Sequence, residues 1–252
     1  SMALHQAPPT TSLSGRGRAL ALLVICAAEL LVVLDNTIVN VALPSIGVEL
    51  QTSMSGLQWV VDAYTLTFAG FLLALGHLGD RYGRRRVMII GLLGVAALSI
   101  VGALSGDLGQ VITARAVMGV FAAAVFPATL AMIITIFTDP REKALAIAAW
   151  TAMAGFAIAI GPTAGGYLLE HFSWHSVFWI NVPVALVVAL AARVLVPESR
   201  AEHVGRFDVV GLVSSLVAVT ALVWTIIEAP HRGWLSATSL AGNALSAVAI
   251  AE

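Results

Sequence analysis

Gly76-His77-Leu78-Gly79-Asp80-Arg81-Tyr82-Gly83-Arg84-Arg85-Arg86 sets four arginines and one aspartate between two apolar runs, 56–78 and 87–105. Each run is close to the ~20 residues that an α-helix needs to cross the hydrocarbon core. Gly83 suits a tight turn, and Asp80 is placed to pair with arginines at a helix end. A plainer reading makes the same cations a clamp on anionic lipid headgroups. Under either reading, the stretch is a short polar turn joining two membrane helices.

The rest of the chain agrees with that setting. Of 252 residues, 59% are hydrophobic and 11% charged, whereas a soluble domain carries roughly 25% charge. The mean hydropathy is +0.95. A soluble globular enzyme is therefore excluded. The formal net charge of −1 supplies no basic field for nucleic acid. Cys26 is the single cysteine and has no partner for an intrachain disulfide. No metal-spaced His/Cys set, nucleotide loop or nucleophile elbow is present, so neither a metal site nor an enzyme is expected.

Seven stretches qualify as spans: 19–43, 56–78, 87–105, 109–137, 143–170, 174–196 and 208–229. An eighth begins near Leu235 and is read as the start of a further helix. Placing the N-terminus in the cytoplasm puts 11 of the 13 Lys and Arg residues in inside loops and leaves only Arg232 outside. That asymmetry obeys the positive-inside rule, and the reverse orientation violates it. Residues 1–18 are read as a disordered cytoplasmic N-terminus, with Ser1 before Met2 as an expression scar. The run after Arg16 and Arg18 is too long for the h-region of a signal peptide.

Charges inside membrane helices are costly and face a cavity or a partner. Span 1 holds Glu29 and Asp35, span 2 holds Asp62 and span 4 holds Arg115. At ~1.5 Å per residue, Glu29 lies about 15 Å from the inner boundary and Asp35 about 24 Å. The same rise puts Asp62 and Arg115 each about 9 Å below the outer surface. Asp35, Asp62 and Arg115 therefore share one level, which predicts a buried polar cluster. Two readings stay open: a structural salt bridge, or an acid that exchanges a proton beside Arg115. A neighbouring cation favours an ionised carboxylate and burial favours the neutral acid, so small rearrangements load or release a proton. Glu29, Asn36 and Asn40 share a helical stripe, pointing to a water-filled cavity or to hydrogen bonding between helices.

The turn with which this reading began resembles the G-x-L-x-D-R-x-G-R-R signature of the major facilitator superfamily. Leu34-Asp35-Asn36-Thr37-Ile38-Val39-Asn40-Val41-Ala42-Leu43-Pro44 is similar to the helix 1 motif of its drug:proton antiporter branch. Arg115-Ala116-Val117-Met118-Gly119 resembles R-x-x-Q-G, with Met118 replacing the glutamine and losing its hydrogen bonding. Gly161-Pro162-Thr163-Ala164-Gly165-Gly166 is similar to the helix 5 antiporter motif, with Ala157 at its leading glycine. Trp174-His175-Ser176-Val177-Phe178-Trp179-Ile180-Asn181-Val182-Pro183 resembles the entry to helix 6, from which His175 and Ser176 depart. Phe207-Asp208-Val209-Val210-Gly211 opens the next helix as in the fourteen-helix branch. In the residues themselves, Pro162 removes a backbone hydrogen bond and kinks the helix, and the glycines permit close helix approach.

The resemblance implies an all-α integral membrane fold. A six-helix N-terminal bundle occupies 19–196, and 197–252 supplies a cytoplasmic loop, a seventh linker helix and the start of an eighth. It implies the N-terminal half of a proton-coupled multidrug efflux antiporter that exports hydrophobic or cationic compounds by alternating access. Asp35, Arg115 and Asp62 are the proton-coupling candidates; Glu29, Asn36 and Asn40 the substrate-cavity candidates. Gly76, Asp80, Arg81, Gly83 and Arg84 form the cytoplasmic gate, and Gly161, Pro162, Gly165 and Gly166 the antiporter motif. No cofactor is expected, the proton gradient being the energy source. The expected partners are the lipid bilayer, a small substrate, and a missing C-terminal half or a second copy. The expected location is a bacterial inner membrane. The competing functions are a non-transporting half that serves as ligand sensor or scaffold, and a facilitator or importer of the same superfamily.

Overall fold

The computed structural model describes residues 13–232, together with 242, 244, 245, 247, 249 and 250. Among the described residues the regular structure is helical: α1 (Gly15–Glu49), α2 (Met54–Tyr82), α3 (Arg84–Ala103), α4 (Leu108–Ile136), α5 (Pro140–His171), α6 (Ser176–Trp179), α7 (Asn181–Leu195) and α8 (Val209–Arg232). Counting α6 and α7 as one span, seven helices are long and apolar enough to cross a membrane. The chain is an integral membrane protein of all-α class.

Local sequence explains where the helices start. Ser14, Ser53, Asp107 and Asp139 precede α1, α2, α4 and α5, and each side chain accepts a backbone N–H from the first turn. Such caps satisfy donors that an isolated helix end leaves unpaired. The Ser14 cap starts α1 four residues before the expected boundary at 19. Arg18, expected in a disordered terminus, instead donates to the Leu13 carbonyl at 2.8 Å and pairs with Glu142 at 3.4 Å. At its other end α1 runs through Pro44 to Glu49, past the expected end at 43. A proline removes one hydrogen bond, and membrane helices tolerate that loss when neighbours pack around it. The expectations for residues 1–12 and for the segment from Leu235 fall largely outside the described residues.

The sixth span is broken. α6 ends at Trp179, Ile180 intervenes, and α7 starts at Asn181 with Pro183 in its first turn. Proline at 183 has no N–H to give the Trp179 carbonyl, so the ladder lapses at that junction.

α2 and α3 pack chiefly on α4, α1 on α5 and α3 on α7, while α8 lies along α2. α4 is central, and its buried face is built from Ala114, Met118, Gly119, Ala122, Ala123, Val125 and Ala128. Small residues permit this closeness: a Cβ at Gly91 of α3 would stand 2.7 Å from the Phe121 carbonyl oxygen. The outward surface is apolar, with Val48, Leu73 and Val194 more than 70% exposed. In water that surface would be a liability; against acyl chains it needs no cover.

Candidate functional site

Arg115 of α4 has no exposed surface and reaches two acceptors on α1. Its Nη1 donates to Asp35 Oδ2 at 2.7 Å and its Nη2 to Asn36 Oδ1 at 3.0 Å. The guanidinium carbon stands 4.2 Å from the Tyr64 ring centroid on α2, a cation–π contact. The Met118 sulfur, one turn along, also faces Nη1 at 3.5 Å. The hydrogen bonding expected to vanish with the glutamine is thus replaced by a weak thioether acceptor, and Nε of Arg115 has no partner among the described residues. The other Asp35 oxygen accepts from Asn181 Nδ2 of α7 at 2.6 Å, and that amide also reaches Ser99 Oγ of α3 at 3.3 Å. Side chains from α1, α2, α3, α4 and α7 therefore meet on one buried ion pair. Buried charges demand such company, since an unpaired one costs several kcal/mol.

The predicted cluster is brought together in part. Asp62 does not join Arg115; its carboxylate accepts from Gln58 Nε2 at 2.9 Å on its own helix. Its height matches Arg115, but the buried face of α2 carries Val60, Ala63, Tyr64 and Gly70, and Asp62 lies off that face. The stripe of Glu29, Asn36 and Asn40 also divides. Glu29 is 1% exposed, packed inside the bundle, and its Oε2 has no partner among the described residues. Asn36 serves Arg115, whereas Asn40 is exposed and donates to the Asn36 carbonyl at 3.0 Å. Asn181 and Ser99 were not anticipated. Asn181 was in view only as part of the helix 6 entry motif, and for Ser99 a lone serine in an apolar span was the signal available.

The arginine-rich turn forms a second polar assembly. Arg84 Nε donates to Asp80 Oδ1 at 3.0 Å and its Nη1 to Thr135 Oγ1 of α4 at 2.9 Å. Gly76 lies against Pro127, where an added Cβ would stand 3.4 Å away. Arg81 is exposed, with its guanidinium 5.4 Å from the Tyr82 ring centroid. Gly83 has φ +118°, a conformation that side-chain-bearing residues rarely adopt, and a Cβ there would sit 2.7 Å from the Glu198 carboxylate.

Glu198 is the residue that sequence reasoning missed. Its oxygens accept the backbone N–H of Arg85 at 2.9 Å and of Arg86 at 3.1 Å, capping α3 from 112 residues away. A carboxylate there also meets the positive end of the helix dipole. Arg84 N donates to the Ser199 carbonyl and Ala201 N to the Asp80 carbonyl. Arg85 Nη1 donates to the Val196 carbonyl at 3.0 Å. The segment 196–201 is thereby strapped across the turn.

The glycine motif on α5 resolves into two faces. Ala157, Gly161 and Gly165 are buried, the two glycines against α1. A Cβ at Gly161 would collide with Thr37, and one at Gly165 would stand 3.1 Å from Val41. A Cβ at Gly166 would meet nothing within 4 Å, and Pro162 is exposed while α5 continues through it.

Residues 25–251 match the Major Facilitator Superfamily. The puromycin resistance protein pur8 of Streptomyces alboniger is 43% identical over 213 residues, which cover 84% of this chain and 42% of that protein. The multidrug efflux pump LfrA of Mycolicibacterium smegmatis is 40% identical, covering 95% and 47%. The tetracenomycin C resistance and export protein of Streptomyces glaucescens is 36% identical, covering 96% and 45%. The chain thus spans less than half the length of each of these relatives. In fold it is similar to the POT family transporter PepTSo, with a TM-score of 0.63 at 17% identity, covering 91% of this chain and 52% of that one. Seven apolar helices, the strapped arginine turn and these matches place the chain in the major facilitator superfamily, a family of membrane transporters, where it fits the N-terminal half of the fourteen-helix drug:proton antiporter branch.

Proposed function

We propose that this chain is the first bundle of a proton-coupled efflux antiporter for small hydrophobic or cationic compounds. The observation that supports this most is the buried Asp35–Arg115 pair at 2.7 Å, shared between α1 and α4 inside the membrane-spanning bundle. Protonation of Asp35 cancels its attraction to Arg115. The guanidinium then keeps Asn36 and Tyr64, and the restraint between α1 and α4 loosens. Deprotonation restores it. A pair with two arrangements of nearly equal energy is what coupling to a proton gradient requires. The relatives named for multidrug efflux and for antibiotic resistance and export favour outward movement of drug-like molecules.

In this reading Asp62, off the pair, is a secondary proton site, and Asn36 and Asn40 border the substrate path. Glu29 adds attraction for cations when the bundle opens. Gly76, Asp80, Arg81, Gly83 and Arg84 form the cytoplasmic gate; Gly161 and Gly165 hold α5 close to α1 during rocking, and Pro162 and Gly166 complete the antiporter motif on its other face. The opposing bundle comes from the remainder of a longer chain or from a second copy, and no cofactor other than the proton gradient takes part. The site is a bacterial inner membrane with the N-terminus inside. The test is Asp35→Asn in the chain paired with its opposing bundle in proteoliposomes. Efflux driven by a proton gradient should be lost while membrane insertion persists; unchanged efflux would remove Asp35 as proton carrier.

A further inference from the structure

Four aromatic rings run in contact across three helices. Tyr64 and Phe68 of α2 stack with centroids 6.1 Å apart, Phe68 meets Phe126 of α4 edge-on at 5.8 Å, and Phe126 meets Trp150 of α5 at 5.3 Å and 48°. Tyr64 is buried beneath Arg115, but Phe68, Phe126 and Trp150 are half-buried. All three lie deep within their spans. Phe68 is fourteen residues from either end of α2, roughly 21 Å at 1.5 Å per residue. Phe126 and Trp150 each lie ten residues, roughly 15 Å, from the helix end beside the α4–α5 turn. Tryptophan and tyrosine gather at headgroup level, where their polar edges meet water, so Trp150 lies deeper than its type usually does. These three are mid-span.

The surrounding packing leaves these three rings partly exposed. α4 packs chiefly on α2 and α3, and α5 chiefly on α1, so α4 and α5 diverge. Phe126 and Trp150 bridge that divergence. The Trp150 ring is also pinned: its Nε1 donates to Thr129 Oγ1 at 3.0 Å, and that hydroxyl donates to the Phe126 carbonyl at 2.6 Å. A ring fixed before a ligand arrives loses little entropy on stacking. The edge-on Phe68–Phe126 contact and the tilted Phe126–Trp150 contact each cover at most one face of a ring, and every aromatic ring has two.

We infer that Phe68, Phe126 and Trp150 form a stacking platform that selects planar aromatic ring systems over aliphatic compounds of the same charge. This deepens the efflux reading and rests on it for the direction of movement, but binding at the platform is measurable without transport. The experiment is calorimetric titration of the purified chain in lipid nanodiscs with ethidium, a planar aromatic cation, and with tetrapropylammonium, an aliphatic one. Trp150→Leu and Phe126→Leu should each weaken ethidium binding about tenfold. Trp150→Phe should hold it within about threefold of the parent, and tetrapropylammonium should be unaffected. Thermal unfolding of each variant verifies that it is folded. Equal losses for both cations would reduce the rings to structural packing and overturn the proposal. So would full ethidium affinity in Trp150→Leu, or an absence of ethidium binding by the parent chain. Failure of the efflux reading has a different signature: intact aromatic selectivity together with efflux that ignores Asp35→Asn.

Discussion

Glu29 and Asp35 stand six residues apart on α1 and meet opposite conditions. Asp35 has an arginine and an asparagine amide on its two oxygens; Glu29 is 1% exposed and has an oxygen with no partner among the described residues. An unsatisfied buried polar group costs about 1–3 kcal/mol, so Glu29→Met should raise the stability of the chain by an amount of that order. Thermal unfolding in nanodiscs measures it, and a lowered midpoint would mean that the carboxyl is held by a partner. At this scale the sequence was legible to the extent that height alone decides. Counting the rise placed Asp35 and Arg115 together, and they are together. It placed Asp62 there too, because depth says nothing of direction around the helix axis. Tyr64, only two residues further, points toward Arg115, while Asp62 turns to Gln58. Asn181 lies 146 positions from Asp35, and no local pattern pairs them.

The α2–α3 turn and the 196–201 strap form one element in practice, although the chain between them crosses the bundle four times. Gly83 and Glu198 are coupled by contact, so their substitutions should not add. Gly83→Ala combines left-handed backbone strain with a collision against the Glu198 carboxylate and should cost about 1–3 kcal/mol. Glu198→Ala loses a helix cap and should cost about 1 kcal/mol. The double variant should be less damaged than the sum, since removing the carboxylate clears the space; strict additivity in thermal unfolding would show that the contact carries no energy. The arginines of this turn were legible as a signature. Glu198 was not, because sorting cations by side ignores acids, and capping at a distance of 112 residues leaves no periodic trace. A second contrast belongs to α5. Gly161→Val should destabilise the chain strongly by collision with Thr37, whereas Gly166→Val should leave its stability within about 0.5 kcal/mol, because open space surrounds it. Equal effects would mean that the two faces of α5 are packed alike.

For the molecule as a whole, the span count and the all-α class could be read from hydropathy, since each helix had to satisfy its own backbone in lipid. The helix ends could not, because Ser14 and the passage through Pro44 depend on local hydrogen bonds. Orientation is open to a direct check. In a Cys26→Ala background, Gly106→Cys should react with a membrane-impermeant maleimide in intact cells, and Arg86→Cys only after permeabilisation. The reverse pattern would invert the proposed topology. One feature of the strap also limits how far the pieces can travel. Ala201 is tied to Asp80, and α8 begins eight residues later at Val209. Eight residues reach at most roughly 26–29 Å when taut. The Phe207 ring, 5.4 Å from His77, takes up part of that leash. α8 itself is moored to α2, so in the proposed antiporter any swing of an opposing bundle would have to draw its slack from beyond α8, which rides with the first bundle.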